Sequence, residues 1–241
     1  MTDLKVLADP PPLRLNEMYI ACQGEGPLMG RPSVFIRLHG CPVHCKWCDT
    51  AFTWDGSEEG ESVTVDELVR RAVAYADGVI KHAVITGGEP LVTRALPAII
   101  DGLADAGFTV EVETAGVLKP NDPRLARASW ILSPKMPSAE PKMKPDPEVL
   151  ACFFVWYTAP HVALKIVISN SEDYEHMLAL CDSIVALGHD YIRERTYLMP
   201  CGTTRAAISD GLRWLLNKAP KDGFNVTTRM HVTAFGDERG R

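Results

Sequence analysis

The sequence predicts an α/β fold, a parallel sheet of about six strands that is either open or curled towards a barrel. Three observations point there. Short β-branched or apolar runs alternate with amphipathic helical patterns between residues 33 and 218, the rhythm of right-handed crossovers in a parallel sheet. The 241 residues are 46% hydrophobic and 23% charged, enough to build a substantial core in a single domain spanning 1–241. Cysteine-rich and glycine-rich turns directly follow the first two strands, where parallel sheets place their ligands.

The elements follow in order. The first strand is "SVFIRL" (33–38). A helix over 64–76 opens on a capping box, Thr64 with Glu67 three residues later, and carries Val65, Leu68, Val69 and Ala72 on one stripe. "HAVIT" (82–86) is the second strand, and a helix over 94–106 closes at Gly107. "FTVEVET" (108–114) and "WILS" (130–133) are the third and fourth. The stretch 133–148 holds five prolines in sixteen residues, too many for a helix or a central strand, and reads as a long ordered loop. After "VALKIVIS" (162–169) comes a helix over 171–187 with Tyr174, Met177, Leu178, Cys181, Ile184 and Val185 on its apolar face. "TYLMP" (196–200) is the sixth strand, and a helix over 204–218 turns Leu212, Leu215 and Leu216 inward. The tail over 224–235 reads as a further strand at the edge.

Composition narrows the function. No apolar run reaches the roughly 18 residues needed to span a bilayer, and the N-terminus lacks a basic start and an apolar block, so no membrane role and a cytoplasmic location are expected. A formal charge of −6 with no basic run gives nucleic-acid binding little support. A small-molecule substrate is the natural expectation. Seven cysteines in a reducing compartment favour metal or catalysis over disulfides.

Three of them, Cys41, Cys45 and Cys48, stand in "CPVHCKWC". Buried free thiols are a poor reading in a loop rich in glycine, proline and charge. Structural zinc needs four ligands; His39 or His44 could complete it, but no second knuckle of the usual spacing exists. A 4Fe-4S cubane held by three thiolates leaves one iron open to an outside ligand. The CxxxCxxC spacing resembles that of the radical S-adenosylmethionine enzymes, whose cosubstrate chelates that iron and is cleaved to methionine and a 5'-deoxyadenosyl radical. The second strand ends in "TGGEP" (86–90), whose glycines let backbone approach a ligand closely. Taken alone, that motif is also a tight turn into a helix.

With "ACQGEGPLMGRPSVFIRLHGC", "CDTAFTWDG", "VETAG", "SPKMPS", "YLMP" and "RMHVTAFGDERGR", the chain resembles the 7-carboxy-7-deazaguanine synthase family over nearly its whole length. The resemblance implies an incomplete parallel (β/α) barrel of about six strands and a lyase of queuosine and 7-deazapurine biosynthesis, which contracts the ring of 6-carboxy-5,6,7,8-tetrahydropterin with loss of ammonia. It implies a 4Fe-4S cluster, S-adenosyl-L-methionine, Mg2+, a homodimer and an electron donor such as flavodoxin. Carried over by position, Cys41, Cys45 and Cys48 hold the cluster, and Thr50 offers its hydroxyl to Mg2+ with Asp49 orienting it. Trp47, Asp49, Gly88, Ser133 and Lys135 border the cosubstrate. Cys22, Gln23, Gly24, Arg37, Thr86 and Arg241 face the substrate, Arg37 forking onto its carboxylate as lysine could not.

Bland readings stand beside these. Thr50 could be a loop-capping hydroxyl, and Arg37 an ion-pair partner of Glu25 or another acid. Cys22 and Cys201 read as incidental thiols, Cys152 and Cys181 as core. The stretch 136–160 departs from the family and could shape the dimer interface or cover the site. Two rival functions share the triplet: a glycyl-radical activase acting on a protein, and a non-catalytic cluster or zinc protein.

Overall fold

The computed structural model describes residues 13–156 and 162–240. Among these residues nine strands form one sheet: β1 (Leu13–Cys22), β2 (Pro32–Leu38), β3 (Glu61–Val63), β4 (His82–Gly87), β5 (Thr109–Thr114), β6 (Ala128–Leu132), β7 (Val162–Ile168), β8 (Thr196–Pro200) and β9 (Asn225–Val226). Their order is β3-β1-β2-β4-β5-β6-β7-β8-β9. From β2 to β9 every pairing is parallel, whereas β1 runs antiparallel to β2 and β3. The order starts at β3 and ends at β9, so the barrel stays open. The helices are α1 (Val65–Ala76), α2 (Leu96–Asp105), α3 (Pro147–Trp156), α4 (Ser171–Ala186), α5 (Arg205–Lys218) and α6 (Met230–Phe235).

Side chains alternate across each strand, and the two faces have opposite chemistry. Ile36, Leu38, Ile85, Val112, Trp130, Leu132, Leu164, Ile166 and Leu198 join the helix residues Leu68, Ile99, Leu103, Phe153, Met177, Ile184 and Leu215 in one buried core. Burying each of the large ones contributes roughly 1.5–3 kcal/mol, so this face holds the sheet against its helices. The residues between them, among them Arg37, Thr86, Glu111, Glu113 and Lys165, lie on the other face. That face is the wall of the site.

All six predicted strands form, with no end shifted by more than two residues and 196–200 matched at both ends. Helix α1 opens on Thr64, whose side chain accepts from Glu67 N at 3.2 Å. The reciprocal half of the capping box does not form, because the Glu67 carboxylate is taken by Arg70 and Arg71. On α5 the apolar stripe is narrower than predicted: Leu215 is buried, but Leu216 is 55% exposed.

Four elements depart from the sequence reading. Strand β1 was not expected, since its polar residues face the wet interior and blur the alternation. Strand β3 is three residues long and pairs only with β1. Helix α3 begins on Pro147, inside the stretch read as a loop; with Leu150, Phe153 and Phe154 buried, it has no polar face to give a helical period. In the tail only Asn225–Val226 pair as a strand, and Met230–Phe235 turn into α6, where Met230 N donates to Gly24 O at 2.9 Å.

Candidate active site

The cysteine loop leaves the end of β2 and is fixed from several sides. Gly40 N donates to Thr53 O at 2.8 Å, and Glu89 N donates to Gly40 O at 2.8 Å. Behind it lies the proline-rich stretch: Lys46 N donates to Ala139 O, and Lys142 N to Val43 O, both at 2.8 Å. Val43, Cys45, Ala115 and Ala139 form a small buried cluster there, with Cys41, Trp47 and Cys48 packed on it. That stretch is itself held by Asp173 at the start of α4, which accepts from Ser138 N and Oγ at 2.9 and 2.6 Å. So residues 136–142 back the cysteine loop.

Burial pushes the Cys41 thiol up and the Cys45 thiol to about 11. Such thiols stay protonated until a metal group displaces the proton. Three features fit an iron-sulfur cluster better than zinc. Among the described residues no three His, Cys, Asp or Glu side chains converge on one ion. His39 is bonded to Asn16 at 3.0 Å; His44 stacks on Trp54 and meets Lys142 Nζ at 2.8 Å. Trp47 and Trp54 line the same cavity, and their buried indole N–H groups have no acceptor among the described residues, a donor surplus that suits an acceptor-rich group.

The glycines of "TGGEP" are dictated by close backbone approach. A Cβ on Gly87, where φ is +142°, would lie 2.2 Å from Leu38 O, and one on Gly88 would lie 2.1 Å from Gly40 O. Glu89, 1% exposed, accepts from Thr114 Oγ1 at 2.6 Å and Ala115 N at 2.7 Å, tying the turn to the end of β5. Gly88→Ala is therefore expected to push the cysteine loop aside and cost about 2–3 kcal/mol, lowering the melting temperature by roughly 5–10 °C. Thermal unfolding of the reconstituted protein checks this.

A cleft of about 790 Å³ opens beside the loop, large enough for two small molecules. It brings together Cys41, Cys45, Trp47, Cys48, Asp49, Thr50, Thr86, Gly88, Ser133 and Lys135, with Cys22, Gln23, Gly24 and Arg37. Arg241 lies outside the described residues, although the preceding Asp237–Gly240 line the cleft. The Thr50 hydroxyl caps no turn; it sits 3.6 Å from Cys48 Sγ. Lys135 Nζ donates to Ser133 Oγ at 2.9 Å. Arg37 pairs with Glu17 at 2.6 Å and donates to Tyr19 at 3.0 Å, rather than pairing with Glu25. Cys22 is exposed at the rim, and Cys201 is half-buried in the wall.

The deepest charges were not anticipated from sequence. Lys165, 4% exposed, donates to Glu25 at 2.7 Å and Glu113 at 2.9 Å. Arg229 holds Glu25 at 3.0 Å and Asp49 at 2.5 Å, joining the floor of the cleft to the cysteine loop. Thr86 Oγ1 donates to Glu113 at 3.3 Å. Against the cost of burial, the two cations hold the Glu25 carboxyl far below its usual range, and the two acids hold Lys165 above its own. At Gly24 a Cβ would stand 2.2 Å from His231 Nδ1, so a side chain there would displace that ring. Arg239 closes the C-terminal segment over the cleft: it grips Glu17, bonds Glu58 at 2.7 Å, and lies 3.8 Å above the Phe52 ring. A lysine inside "VALKIVIS" and acids inside "FTVEVET" were the available signals, charges where a buried strand has no use for them.

Three comparisons bear on this site. A family model described as the radical SAM superfamily matches residues 35–129. The chain is 37% identical to the 7-carboxy-7-deazaguanine synthase of Pyrobaculum aerophilum, over 96% of this chain and 98% of that protein. It is 33% identical to the protein of the same name from Rhodopirellula baltica, over 95% and 88% of the two chains. Among solved structures it is similar to QueE from Escherichia coli, with a TM-score of 0.69 and 26% identity, covering 91% of this chain and 95% of that one. The fold, without the sequence, is shared with Streptococcus suis SuiB bound to S-adenosylmethionine, at a TM-score of 0.59 and 14% identity, over 80% and 49% of the two chains.

Proposed function

The chain belongs to the 7-carboxy-7-deazaguanine synthases of the radical SAM superfamily, and from that premise we propose how its own residues divide the conversion of 6-carboxy-5,6,7,8-tetrahydropterin to 7-carboxy-7-deazaguanine and ammonia. The observation that carries the reading is one cleft with two chemistries, thiols on one wall and paired charges on the other. When bound, the 4Fe-4S cluster and S-adenosylmethionine supply one-electron chemistry able to take hydrogen from an unactivated carbon.

Cys41, Cys45 and Cys48 hold the cluster. Trp47, Asp49, Gly88, Ser133 and Lys135 border the cosubstrate, and Thr50 gives its hydroxyl to Mg2+, which favours hard oxygen ligands. Cys22, Gln23, Gly24 and Thr86 line the pterin, and Arg241 reaches it from the C-terminus. Because Glu17 and Tyr19 occupy Nε and one Nη2 hydrogen of Arg37, the terminal edge of the guanidinium is left to fork onto the pterin carboxylate. Glu113 and Glu25, both paired with Lys165 and the latter also with Arg229, can accept the amino and ring N–H groups of the pyrimidine. The thiols suit a reducing cytoplasm. A homodimer and an electron donor such as flavodoxin complete the reading, with residues 1–241 acting as one domain, since β1 and the C-terminal Asp237–Gly240 line the same cleft.

Anaerobic turnover of reconstituted protein with the pterin, S-adenosylmethionine, Mg2+ and a strong reductant, read by mass spectrometry, tests the assignment. Deazapurine product is expected. Cosubstrate cleavage without deazapurine would sink the substrate assignment and leave an activase-like role. Arg239→Ala should loosen the closure, raising KM for the pterin roughly tenfold while changing stability little, because its surface ion pairs are each worth about 1 kcal/mol or less; steady-state kinetics and melting curves separate the two effects.

A further inference from the structure

Glu111 lies two residues before Glu113 on the same face of β5 and is 1% exposed. Its Oε1 accepts from Gln23 Nε2 at 2.6 Å, while Oε2 is buried and has no partner among the described residues. Gln23 is thereby held at both ends. Its Nε2 also donates to Glu113 Oε1 at 3.2 Å, and its Oε1 accepts from Glu25 N at 3.3 Å.

The charges facing Glu111 are Glu113 on its own strand, Lys165 from β7 and Arg31 from the β1–β2 connection. Lys165 is already shared between Glu25 and Glu113. The register partners on β4 and β6 are the uncharged Val84 and Ser129. Nearby on β4, His82 is bonded to Ser33 at 2.8 Å and stays neutral down to about 4. An ionised Glu111 would therefore bury a further negative charge with one oxygen offered no donor, far costlier than burying the neutral acid.

We propose that Glu111 is kept as a neutral carboxylic acid that fixes the Gln23 amide in the wall of the cleft, and that its ionisation, by tightening its hold on Gln23 Nε2 and setting a second negative charge beside Glu113, draws this amide away from Glu113 and weakens capture of the pterin. Glu111 is a positioning residue, and its effect on turnover rests on the reading of Gln23 as a substrate contact. Burial, followed by the charge on Glu113, raises its carboxyl from 4.5 to about 7. Since the folded value lies above the unfolded one, the stability it contributes is full below about 4.5 and is lost as pH rises through about 7.

The test is Glu111→Gln, which replaces a neutral acid by a neutral amide of the same shape. Melting temperatures of the reconstituted holoenzyme are compared at about pH 6 and about pH 8.5, on either side of the transition. The variant should gain on the wild type at the higher pH. The wild-type kcat/KM should fall about tenfold for the first unit above its transition, and the variant should lack that limb. A variant destabilised equally at both pH values would mean that Glu111 works ionised, and the same alkaline limb in both proteins would assign it to another group; either overturns the proposal. Should the variant not fold, infrared titration of the wild type decides: a protonated carboxyl band vanishing near pH 7 is expected, and its absence overturns the assignment. If the wild type makes no deazapurine, the role of Gln23 falls with the substrate reading, while the melting and infrared measurements still decide the protonation of Glu111.

Discussion

Replacing Lys165 by methionine is expected to destabilise the protein by about 3–5 kcal/mol, a large part of the 5–15 kcal/mol typical of a folded domain. The ammonium is 4% exposed and stands between two carboxylates, Glu25 at 2.7 Å and Glu113 at 2.9 Å. Methionine fills similar space but, among the described residues, leaves Glu113 with Gln23 and Thr86 as donors and Glu25 with Arg229 and the more distant His231. A partner left charged in a buried site is the costly outcome. Denaturant unfolding measures the loss. Adding Glu113→Gln to Lys165→Met should recover part of it, since the second change removes the orphaned charge; a double variant as unstable as the sum of the singles would show that the pair does not interact. The Glu25 carboxyl, held below its usual value, contributes stability that is present above about 4.5 and is lost as pH falls towards its folded value. Lys165→Met should therefore flatten the acid side of the stability profile.

Cys45→Ala should eliminate cluster retention and lower product formation by at least about 10³-fold, because two thiolates do not hold a cubane that needs three. The fold should survive. Cys45 is 8% exposed and packs on Val43, Ala115 and Ala139, so losing one sulfur costs about 1 kcal/mol. Iron and sulfide content, visible absorbance and deazapurine yield separate the two effects. A variant that still assembles a cluster would turn attention to Cys201, which lines the same cleft.

Legibility followed distance along the chain. The helix at 65–76 announced itself through Thr64, three residues from the amide it caps. The cysteine loop and "TGGEP" were legible because their chemistry lies within a few residues. Helix α3 was hidden because Leu150, Phe153 and Phe154 leave it no polar face, and α6 because the pattern of "MHVTAF" suits a strand as well as a short helix. The charge network was hidden for another reason. Lys165 meets Glu25 across 140 residues, Arg229 meets Asp49 across 180, and Arg239 meets Glu17 across 222.

By itself, then, the sequence determined the alternating strands and helices, the thiols after β2 and the glycines after β4, all of them consequences of local periodicity and steric demand. Only the tertiary structure decided which acid Arg37 pairs with, that the proline-rich stretch backs the cysteine loop, and that a lysine and two glutamates share the floor of the cleft. A buried charge is tolerable only with its partner in place. Opening the barrel towards a polar interior is what brings such distant partners within hydrogen-bonding reach.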